Sequence, residues 1–518
     1  MASAAVIDAS APDAPDSVSA DVAIIGSGAG GGIAAEVLSR AGLDVLLVEQ
    51  GGYYRAADFT LHERDAYAEL YADMAARKTR DKGIAILQGQ CVGGGTTVNW
   101  TSSFRTPPET LAHWAAAHHV EGLSPEAMAP WFARIEEQLG IAPWTDFPPN
   151  ANNAALARGA AALGIRTGVI PRNVRDCLNL GLCGLGCPVD AKQSTLVTAM
   201  AAGARLLTRA RAERLVWQGE RVGGAELRVM AGDGRGPTAR TIRLQARHVV
   251  LAAGAIGSPA VLLRSGVPDP HERLGRRTFL HPTAGVVGGM AEPVEAYAGA
   301  PQSIYSDHFL WADGATGRLG YKLEAAPIFP ALAAVVSRLH GWSLASRMAA
   351  FPHLTATIAL MRDGFHEESR GGRVQLLDDG EPVLDYPVDT YLQDGLRRAY
   401  RSMLEIAFAA GATSAAPLHM DVPGDGYASL DAALAGLRDL RLERYRTGLF
   451  SAHVMGGCAM GEDRRTAVVD SAGRHHQLEN LWILDGSVFP TSIGANPQVS
   501  IMALALRNAT RLAEIAAA

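Results

Sequence analysis

The fold of the first part of the chain is decided by Asp21-Val-Ala-Ile-Ile25 and by Gly26-Ser-Gly-Ala-Gly-Gly31, which follows it directly. The first of these segments is a short apolar run with strand character. Ile33–Gly42 then places apolar residues at helical spacing and stops at a glycine. Asp44–Glu49 is a second strand-like run. A strand, a turn, a helix and a strand within about 30 residues predict a β-α-β unit.

The glycines of the turn have the spacing with which such a unit binds a dinucleotide. Gly26 permits the tight turn, Gly28 lets a pyrophosphate approach the backbone, and Gly31 lets the helix pack on the strand. The free N–H groups and the dipole of the helix N-terminus favour the negative phosphates. Glu49, at the end of the second strand, is placed to accept from a ribose hydroxyl, which disfavours a 2′-phosphate and therefore NADP. The pattern by itself leaves NAD and FAD open.

Length and composition set the broad class of the protein. With 518 residues and roughly 100–200 residues per domain, at least two lobes are expected. Hydrophobic residues make up 48% and charged residues 19%, so the chain can bury large cores. A net charge of −6 without a basic block argues against nucleic acid as a main partner. No apolar run reaches the roughly 18 residues that span a bilayer.

The N-terminus and the cysteines bear on the cellular compartment. Residues 1–20 lack the basic and apolar regions of a signal peptide and are expected to be a disordered leader. The five cysteines are an odd number in a long chain, so a disulfide framework is not expected. The predicted location is therefore cytoplasmic.

Further motifs follow the first unit along the chain. Arg247–Gly254 predicts a strand with a helix after it, and Leu481–Asp485 predicts a strand that a loop joins to a helix from Pro497 to about Ile515. The motifs themselves are Gly93-Gly-Gly-Thr-Thr-Val-Asn99, Val250-Leu-Ala-Ala-Gly-Ala-Ile-Gly-Ser-Pro259, His453-Val-Met-Gly-Gly-Cys-Ala-Met-Gly461, Asp485-Gly-Ser-Val-Phe-Pro490 and Gly494-Ala-Asn-Pro-Gln498.

In the content and order of these motifs the chain resembles the glucose-methanol-choline (GMC) oxidoreductases, a family of FAD-dependent enzymes, over nearly its whole length. The resemblance implies an α/β fold with two domains. A Rossmann-type FAD-binding domain is expected to comprise residues 21–110, 190–285 and 446–518. A substrate-binding domain, built on an antiparallel sheet plus helices, is expected to comprise residues 111–189 and 286–445.

The same resemblance assigns residues to the FAD. Gly93, Gly94 and Asn99 are expected at the pyrophosphate and flavin, Gly254 and Ala255 near the adenosine, and Asp485 at the ribityl or pyrophosphate part. The remaining cofactor-binding residues are expected to be Ala29, Ala212 and Pro497. Members that bind FAD covalently use a histidine within or beside the Gly93–Trp100 motif. This motif holds no histidine here, so the FAD is expected to be noncovalent.

His453 and Asn496 match the family's pair beside the reacting atom of the flavin. A histidine can take the hydroxyl proton of an alcohol, since its ordinary pKa is about 6.5. An asparagine can orient the same oxygen without competing for the proton. Asn496 also precedes Pro497 and a helix, a position that favours capping of that helix. Both roles are compatible.

Cys177, Cys183 and Cys187 form a dense group that Pro188 follows. The spacing is not a usual zinc pattern, but three thiolates with a trailing Cys-Pro can hold an iron–sulfur cluster. It resembles the spacing in bacterial FAD glucose dehydrogenases, relatives that carry a three-iron cluster. It also resembles a group of bacterial alcohol dehydrogenases and fatty-alcohol-oxidase-like members in which no cluster can be inferred. Reduced thiols that pack a glycine-rich loop are the alternative.

The expected function is FAD-dependent oxidation of an alcohol to an aldehyde or ketone, with His453 as the general base. The electrons then pass to oxygen, to a quinone or to a redox partner. An apolar substrate, such as a long-chain, aromatic or terpenoid/sterol-like alcohol, is expected because Pro327–Val336 and its continuation to Met361 are rich in apolar residues. The alternative for this stretch is a core helix, or a surface that contacts a partner or a membrane peripherally.

Other enzyme classes remain open at this point. One is a sugar dehydrogenase that passes electrons through an iron–sulfur cluster. Another is a hydroxynitrile lyase, which binds FAD on the same fold without using its redox chemistry. A plain NAD dehydrogenase is a further alternative. A hydrolase is disfavoured because no Gly-x-Ser-x-Gly elbow occurs.

Overall fold

A computed structural model describes residues 5–198, 203–234 and 236–517 of the chain. It has an α/β architecture with one mainly parallel sheet, one mainly antiparallel sheet and smaller sheets. The strands in chain order are β1 (Val6–Asp8), β2 (Ser17–Ile25), β3 (Val45–Val48), β4 (Ile84–Ile86), β5 (Ile141–Pro143), β6 (Gly168–Val169), β7 (Pro171–Asn173), β8 (Arg205–Thr208), β9 (Ala210–Gln218), β10 (Arg221–Met230), β11 (Pro237–Leu251), β12 (Arg276–Leu280), β13 (Thr283–Gly289), β14 (Ile304–Ser306), β15 (Tyr321–Ala325), β16 (Leu354–Met361), β17 (Gly372–Leu376), β18 (Pro382–Asp385), β19 (Ser414–Pro417), β20 (Leu449–Ser451), β21 (Val454–Gly456) and β22 (Leu481–Ile483).

The α-helices lie between and beside these strands. In chain order they are α1 (Ala29–Arg40), α2 (Glu63–Leu70), α3 (Gly95–Val98), α4 (Pro108–His118), α5 (Pro125–Leu139), α6 (Ala151–Ala162), α7 (Thr195–Thr198), α8 (Gly254–Arg264), α9 (Pro330–Ser337), α10 (Gly341–Ala349), α11 (Thr390–Ala409), α12 (Leu430–Asp439) and α13 (Gln498–Ala517).

The first sheet carries the predicted β-α-β unit. Its strand order is β1-β8-β3-β2-β11-β10-β9, with β22 also paired to β11. β1, β8, β3, β2, β11 and β22 run parallel, whereas β10 and β9 form an antiparallel extension. The four residues of β3 are all buried, as expected for a central parallel strand that is covered on both faces. α1 packs against α13, so the first and last helices lie beside each other.

The segment before β2 is ordered. The expectation of a disordered leader at residues 1–20 is wrong for residues 5–20, and residues 1–4 lie outside the described residues. Val6 and Ile7 are β-branched residues that pair with β8, a partner about 200 positions away in sequence. The Arg240 guanidinium donates to the carbonyl oxygen of Ala11 at 3.0 Å and to the Asp16 carboxylate at 3.1 Å. These long-range contacts hold a segment whose composition alone suggests disorder.

The second sheet has the order β4-β20-β13-β16-β15-β14-β6, with β19 also paired to β13. All of its pairs are antiparallel except that of β20 with β4. β4 and β20 belong to this sheet, although the sequence division assigned their residues to the FAD-binding domain. α11 packs on β13, β16 and β19 and buries Leu396, Tyr400 and Met403 in the same core.

The apolar stretch from Pro327 to Met361 is divided between surface and core. α9 and α10 contain no fully buried residue, and Trp342 is 89% exposed. β16, which follows them, is almost entirely buried. Across the described residues, we find no helix that is both long and apolar enough to cross a membrane.

Candidate active site

The turn after β2 opens one end of a deep cavity. Gly26 has a φ of 101°, and α1 begins at Ala29, directly after Gly28. A Cβ atom on Gly31 would overlap the carbonyl oxygen of Gly26, because the helix approaches the strand so closely there. A Cβ atom on Gly28 would meet no protein atom within 4 Å. Free space therefore lies at the N-terminus of α1, where the free N–H groups and the helix dipole favour a phosphate.

The carboxylate of Glu49 holds this turn in place. Its Oε2 accepts from the Ser27 N–H at 3.1 Å and from Ser27 Oγ at 2.6 Å, and its Oε1 accepts from the Gly51 N–H at 2.8 Å. Burial raises the pKa of Glu49, and the hydrogen bonds from Ser27 oppose that shift. Ser27 Oγ also accepts from the Gly93 N–H at 3.0 Å. Ser27 thus joins the two glycine-rich loops, while the contact of Glu49 with a ribose stays a prediction.

The second glycine-rich loop also lines the cavity. Gly93 and Gly94 have φ values of 88° and 51°, which favour glycine. Gly94 and Asn99 line the cavity, whereas Gly93 is held behind it by Ser27. Asn99 Nδ2 donates to Gln498 Oε1 at 2.8 Å and so fixes the loop against the start of α13.

Asp485 binds the N-terminus of α8 at the side of the cavity. Its Oδ2 accepts from the Gly254 N–H at 2.8 Å and from Ser258 Oγ at 2.5 Å, and its Oδ1 accepts from the Ser487 N–H at 2.8 Å. Burial raises the pKa of this carboxyl, and the hydrogen bonds from Ser258 and Ser487 oppose the shift.

One cavity brings together most of the residues that the sequence assigned to cofactor and chemistry. Gly31 and Gly93 do not line the cavity themselves and lie next to residues that do. The predicted residues that line it are Gly26, Gly28, Ala29, Glu49, Gly94, Asn99, Ala212, Gly254, Asp485, His453, Asn496 and Pro497.

One face of the second sheet forms part of the cavity wall. In the register of β15 and β16, Glu324 lies opposite Ile358 and Lys322 opposite Leu360. Side chains two residues apart on a strand share a face. Glu324, Ile358 and Leu360 line the cavity together with Phe450 of β20. Of the apolar stretch that predicted an apolar substrate, Ile358 and Leu360 line the cavity, while α9 lies at the surface.

His453 follows β20 and reaches this wall. Its Nδ1 lies 3.0 Å from Nδ1 of His281, and the two rings meet edge to face. Nε2 of His281 accepts from the backbone N–H of Gly494 at 3.2 Å. Burial lowers the pKa of His453 to about 3, and the positive charge of Lys322 contributes. His453 is therefore neutral near pH 7.

Asn496 lines the cavity from the segment before α13. Its Oδ1 accepts from Lys322 Nζ at 3.0 Å, and its Nδ2 faces Glu324 Oε2 at 3.4 Å. The expected capping of α13 by Asn496 is wrong, because a buried ion pair engages this side chain instead. α13 begins at Gln498, and the carbonyl oxygen of Pro497 accepts from the Ile501 N–H.

Lys322 and Glu324 form that ion pair, and both are almost completely buried. Lys322 Nζ lies 3.0 Å from Glu324 Oε1 and 3.1 Å from the centroid of the Phe104 ring, in cation–π contact. Glu324 Oε2 accepts from Gln302 Nε2 at 2.7 Å. Burial lowers the pKa of Lys322, and the charge of Glu324 opposes that shift.

The three cysteines of the Cys177–Cys187 loop lie near one another. Cys183 Sγ accepts from Arg172 Nη2 at 3.5 Å, and Cys187 Sγ accepts from the Lys192 N–H at 3.4 Å. Burial raises the pKa of Cys177, which disfavours a thiolate. In the part of the chain that the structure describes, no three His, Cys, Asp or Glu side chains come close enough to share a metal ion. The iron–sulfur cluster therefore stays a prediction, which iron analysis of the purified protein tests.

Lys192 connects this cysteine loop to the cavity wall. Its buried ammonium donates to the carbonyl oxygens of Thr97 at 2.7 Å, Asn99 at 2.8 Å and Cys183 at 2.6 Å. Burial lowers its pKa to about 8. The loop therefore supports the Gly93–Asn99 segment from behind.

Several site residues were not found from the sequence. Ser27 lay inside the quoted turn and could have been noticed as its hydroxyl-bearing member. His281, Lys322 and Glu324 lie outside every motif, and only strand register and tertiary packing bring them to His453 and Asn496. An alternating Lys-x-Glu within an otherwise apolar strand is the one signal that was present.

Comparison with known proteins decides the family. Two family models described as GMC oxidoreductase match residues 47–283 and residues 367–505. The chain belongs to the GMC oxidoreductases. These are FAD-dependent enzymes, and the expected family and fold are confirmed.

Individual relatives of this GMC oxidoreductase extend over nearly the whole chain. An uncharacterized GMC-type oxidoreductase of Mycobacterium tuberculosis is 32% identical over 502 residues, which are 95% of this chain and 76% of that protein. A long-chain-alcohol oxidase of Arabidopsis thaliana is 30% identical over 514 residues, which are 94% of this chain and 66% of the oxidase. The crystal structure of pyridoxine 4-oxidase from Mesorbium loti has the same fold, with a TM-score of 0.67, 19% identity and coverage of 95% of this chain and 98% of that one.

Proposed function

We propose that this GMC oxidoreductase oxidises an alcohol to an aldehyde or ketone, with the alcohol oxygen held between His453 and Asn496. The observation that carries the proposal is that these two side chains line the same cavity as the dinucleotide turn at Gly28. Bound FAD supplies the chemistry of a two-electron hydride acceptor. The imidazole of His453 and the amide of Asn496 can both form hydrogen bonds with an alcohol oxygen.

The residues around the cavity would hold FAD along its length. Gly28 and Ala29 face the pyrophosphate, while Ala212 and Gly254 lie toward the adenosine. Gly94, Asn99 and Pro497 lie between this end and the pair His453 and Asn496. The support for this order is that all of them line one continuous cavity and that Gly28 leaves free space at the helix N-terminus.

We further propose an apolar alcohol, such as a long-chain alcohol, as the substrate. Ile358, Leu360 and Phe450 form the wall beside Glu324, and burial of each substrate methylene gains about 0.8 kcal/mol. A free sugar would instead need many convergent polar groups. The name of the Arabidopsis relative, a long-chain-alcohol oxidase, supports the same class.

The substrate class is tested with a homologous series of primary alcohols and glucose. The proposal expects kcat/KM to rise with chain length until the pocket is filled. A clear preference for glucose would favour the sugar-dehydrogenase alternative. An iron content near zero in the purified protein would exclude electron transfer through an iron–sulfur cluster. Flavin that stays oxidised with every alcohol would favour the hydroxynitrile-lyase alternative.

The electron acceptor and the cellular location of the enzyme remain predictions. Oxygen, a quinone and a redox partner are separated by measuring turnover with each acceptor under otherwise equal conditions. Cytoplasmic location and peripheral contact with a membrane are separated by fractionation of the cells that produce the protein.

A further inference from the structure

Asn496 lines the cavity at the expected alcohol position, and what its amide can do there depends on which way round the amide lies. Nδ2 can donate to the alcohol oxygen, whereas Oδ1 can only accept. An oxygen that gives up its hydroxyl proton gains from a donor beside it, because negative charge develops on the oxygen as the proton leaves. The orientation of the Asn496 amide therefore matters for the reaction.

Lys322 and Glu324 define that orientation from two sides. Lys322 Nζ donates to Asn496 Oδ1 at 3.0 Å, and Asn496 Nδ2 lies 3.4 Å from Glu324 Oε2. Rotation of the amide by half a turn would set its NH₂ group against the ammonium and its oxygen against the carboxylate, and both contacts would be repulsive. The ion pair therefore admits one orientation. The carboxylate accepts one hydrogen of Nδ2, and the second hydrogen is left for the cavity.

The ammonium of Lys322 is fixed in turn by an anion and two aromatic rings. It lies 3.0 Å from Glu324 Oε1, 3.1 Å from the centroid of the Phe104 ring and 4.8 Å from that of the Tyr305 ring. The two rings pack against each other edge to face. Only 3% of the Lys322 side chain is exposed, and it does not line the cavity itself. Lys322 can therefore act on a substrate through Asn496 but not by direct contact.

Stability alone does not account for this ion pair. A buried ion pair gains little or nothing over apolar side chains of the same size, because both charges lose their water. Gln302 Nε2 donates to Glu324 Oε2 at 2.7 Å and holds the carboxylate in place. What the pair supplies beyond an apolar pair is direction, since it sets a donor against Oδ1 and an acceptor against Nδ2 of Asn496.

We propose that Lys322 is a positioning residue of the reaction, which holds Asn496 Oδ1 so that Nδ2 donates to the alcohol oxygen. The inference rests on the proposed function, in which this oxygen lies between His453 and Asn496. Lys322 neither touches the substrate nor moves a proton. The hydrogen bond from Nδ2 strengthens as negative charge develops on the oxygen, so its loss slows oxidation more than it weakens binding of the alcohol.

A double-mutant cycle of Lys322→Met and Asn496→Ala tests whether Lys322 acts through Asn496. Anaerobic stopped-flow mixing with 1-dodecanol measures the limiting rate of flavin reduction in protein that retains FAD. We expect Lys322→Met to lower this rate by about 10–100-fold when Asn496 is present, because the hydrogen bond that orients the amide is lost. In the Asn496→Ala protein, the same change should alter the rate by less than about threefold.

A purely structural role of Lys322 gives a different pattern. Loss of the buried cation would then disturb the site whether or not Asn496 is present, and the rate would fall by the same factor in both backgrounds. That additive result would overturn the inference. The matched control is Arg401→Met, which removes an exposed cation paired with Glu405 on α11 and should leave the rate within about twofold of the wild type.

Hydrogen exchange reports on the amide without turnover. In asparagine-labelled protein, the Nδ2 hydrogens of Asn496 are identified by their loss in Asn496→Ala. The buried amide of Asn153, which donates to Asn150 Oδ1 at 2.8 Å, serves as the internal reference. Relative to Asn153, the Asn496 hydrogens should exchange at least about tenfold faster in Lys322→Met than in the wild type. An unchanged ratio of the two exchange rates would overturn the inference.

The outcomes separate this inference from the proposed function. Wild-type flavin that every alcohol leaves oxidised overturns both. Wild-type flavin that is reduced, with equal rate losses in the two backgrounds, overturns the role of Lys322 alone. Should Lys322→Met fail to retain FAD, the cycle is measured in Glu324→Gln protein, where no carboxylate is left unpaired. The same dependence on Asn496 is expected there, and additive losses would again overturn the inference.

Discussion

His281 and His453 face each other through their Nδ1 atoms at 3.0 Å, and the far nitrogen of His281 is held by the backbone N–H of Gly494. Because a backbone amide can only donate, this series of hydrogen bonds determines which nitrogen of each neutral imidazole ring carries the proton. A residue outside every family motif thus determines which hydrogen bonds the motif histidine can make.

Replacement of His281 by Phe should disturb this assignment without touching the substrate. Loss of a buried hydrogen-bond partner costs about 1–3 kcal/mol, so the rate of flavin reduction by an alcohol should fall by about 10–100-fold. His281→Gln can still accept from Gly494 and donate to His453, and it should recover most of the rate. Anaerobic stopped-flow measurement checks both variants, and equal rates for Phe and Gln would contradict the hydrogen-bond account.

Gly28→Ala and Gly31→Ala should differ sharply. The Cβ of Gly28→Ala meets no protein atom within 4 Å, so the protein should fold normally but lose FAD affinity, because the methyl group takes the place of a pyrophosphate. The Cβ of Gly31→Ala overlaps the carbonyl oxygen of Gly26 and should lower the thermal stability of the protein itself. Thermal unfolding and the FAD content of each purified variant measure the two effects. Full FAD occupancy with unchanged affinity in Gly28→Ala would contradict the assignment of this turn.

Lys322→Met should destabilise the fold. Removal of one partner from a buried ion pair leaves an uncompensated charge, and we expect a loss of about 3–5 kcal/mol in the free energy of unfolding. The double variant Lys322→Met with Glu324→Gln removes both charges and should regain much of this loss. Urea unfolding measures the free energy of unfolding of the single and the double variant. Equal values would show that Glu324 does not destabilise the fold when Lys322 is removed, and would contradict this prediction.

FAD should be released by acid precipitation. The Gly93–Trp100 segment carries no histidine that could link to the flavin, so denaturation is expected to free the cofactor into the supernatant. The absorption spectrum of supernatant and pellet gives the answer directly. Yellow colour that stays with the protein pellet would mean a covalent bond.

Local sequence patterns predicted the parts of the molecule that depend on near neighbours. Gly26, Gly28 and Gly31 act within one turn, and the buried run of β3 follows from four consecutive apolar residues. The order of Val6–Asp8 was missed because its partner strand begins at Arg205, far along the chain. The composition of the N-terminal segment does not indicate that β1 pairs with β8.

The chemistry around Asn496 could be predicted only in part, for the same reason. Asn before Pro and a helix indicated a cap, but the side chain turns to Lys322, which strand pairing in the second sheet brings to it. The apolar stretch from Pro327 to Met361 predicted an apolar substrate, with a core helix or a contact surface as the alternative. Only the register of β16 reveals that Ile358 and Leu360 face the cavity while α9 stays at the surface.

The central claim is that this flavoenzyme oxidises an apolar alcohol at His453 and Asn496. Its most direct test is the flavin spectrum of the purified protein under anaerobic conditions, before and after addition of 1-dodecanol. The account predicts that the visible absorption bands of the oxidised flavin bleach, that dodecanal appears in equal amount, and that His453→Ala with its FAD still bound bleaches at least about 10²-fold more slowly. Oxidised flavin that persists with 1-dodecanol and with the rest of the alcohol series would contradict it.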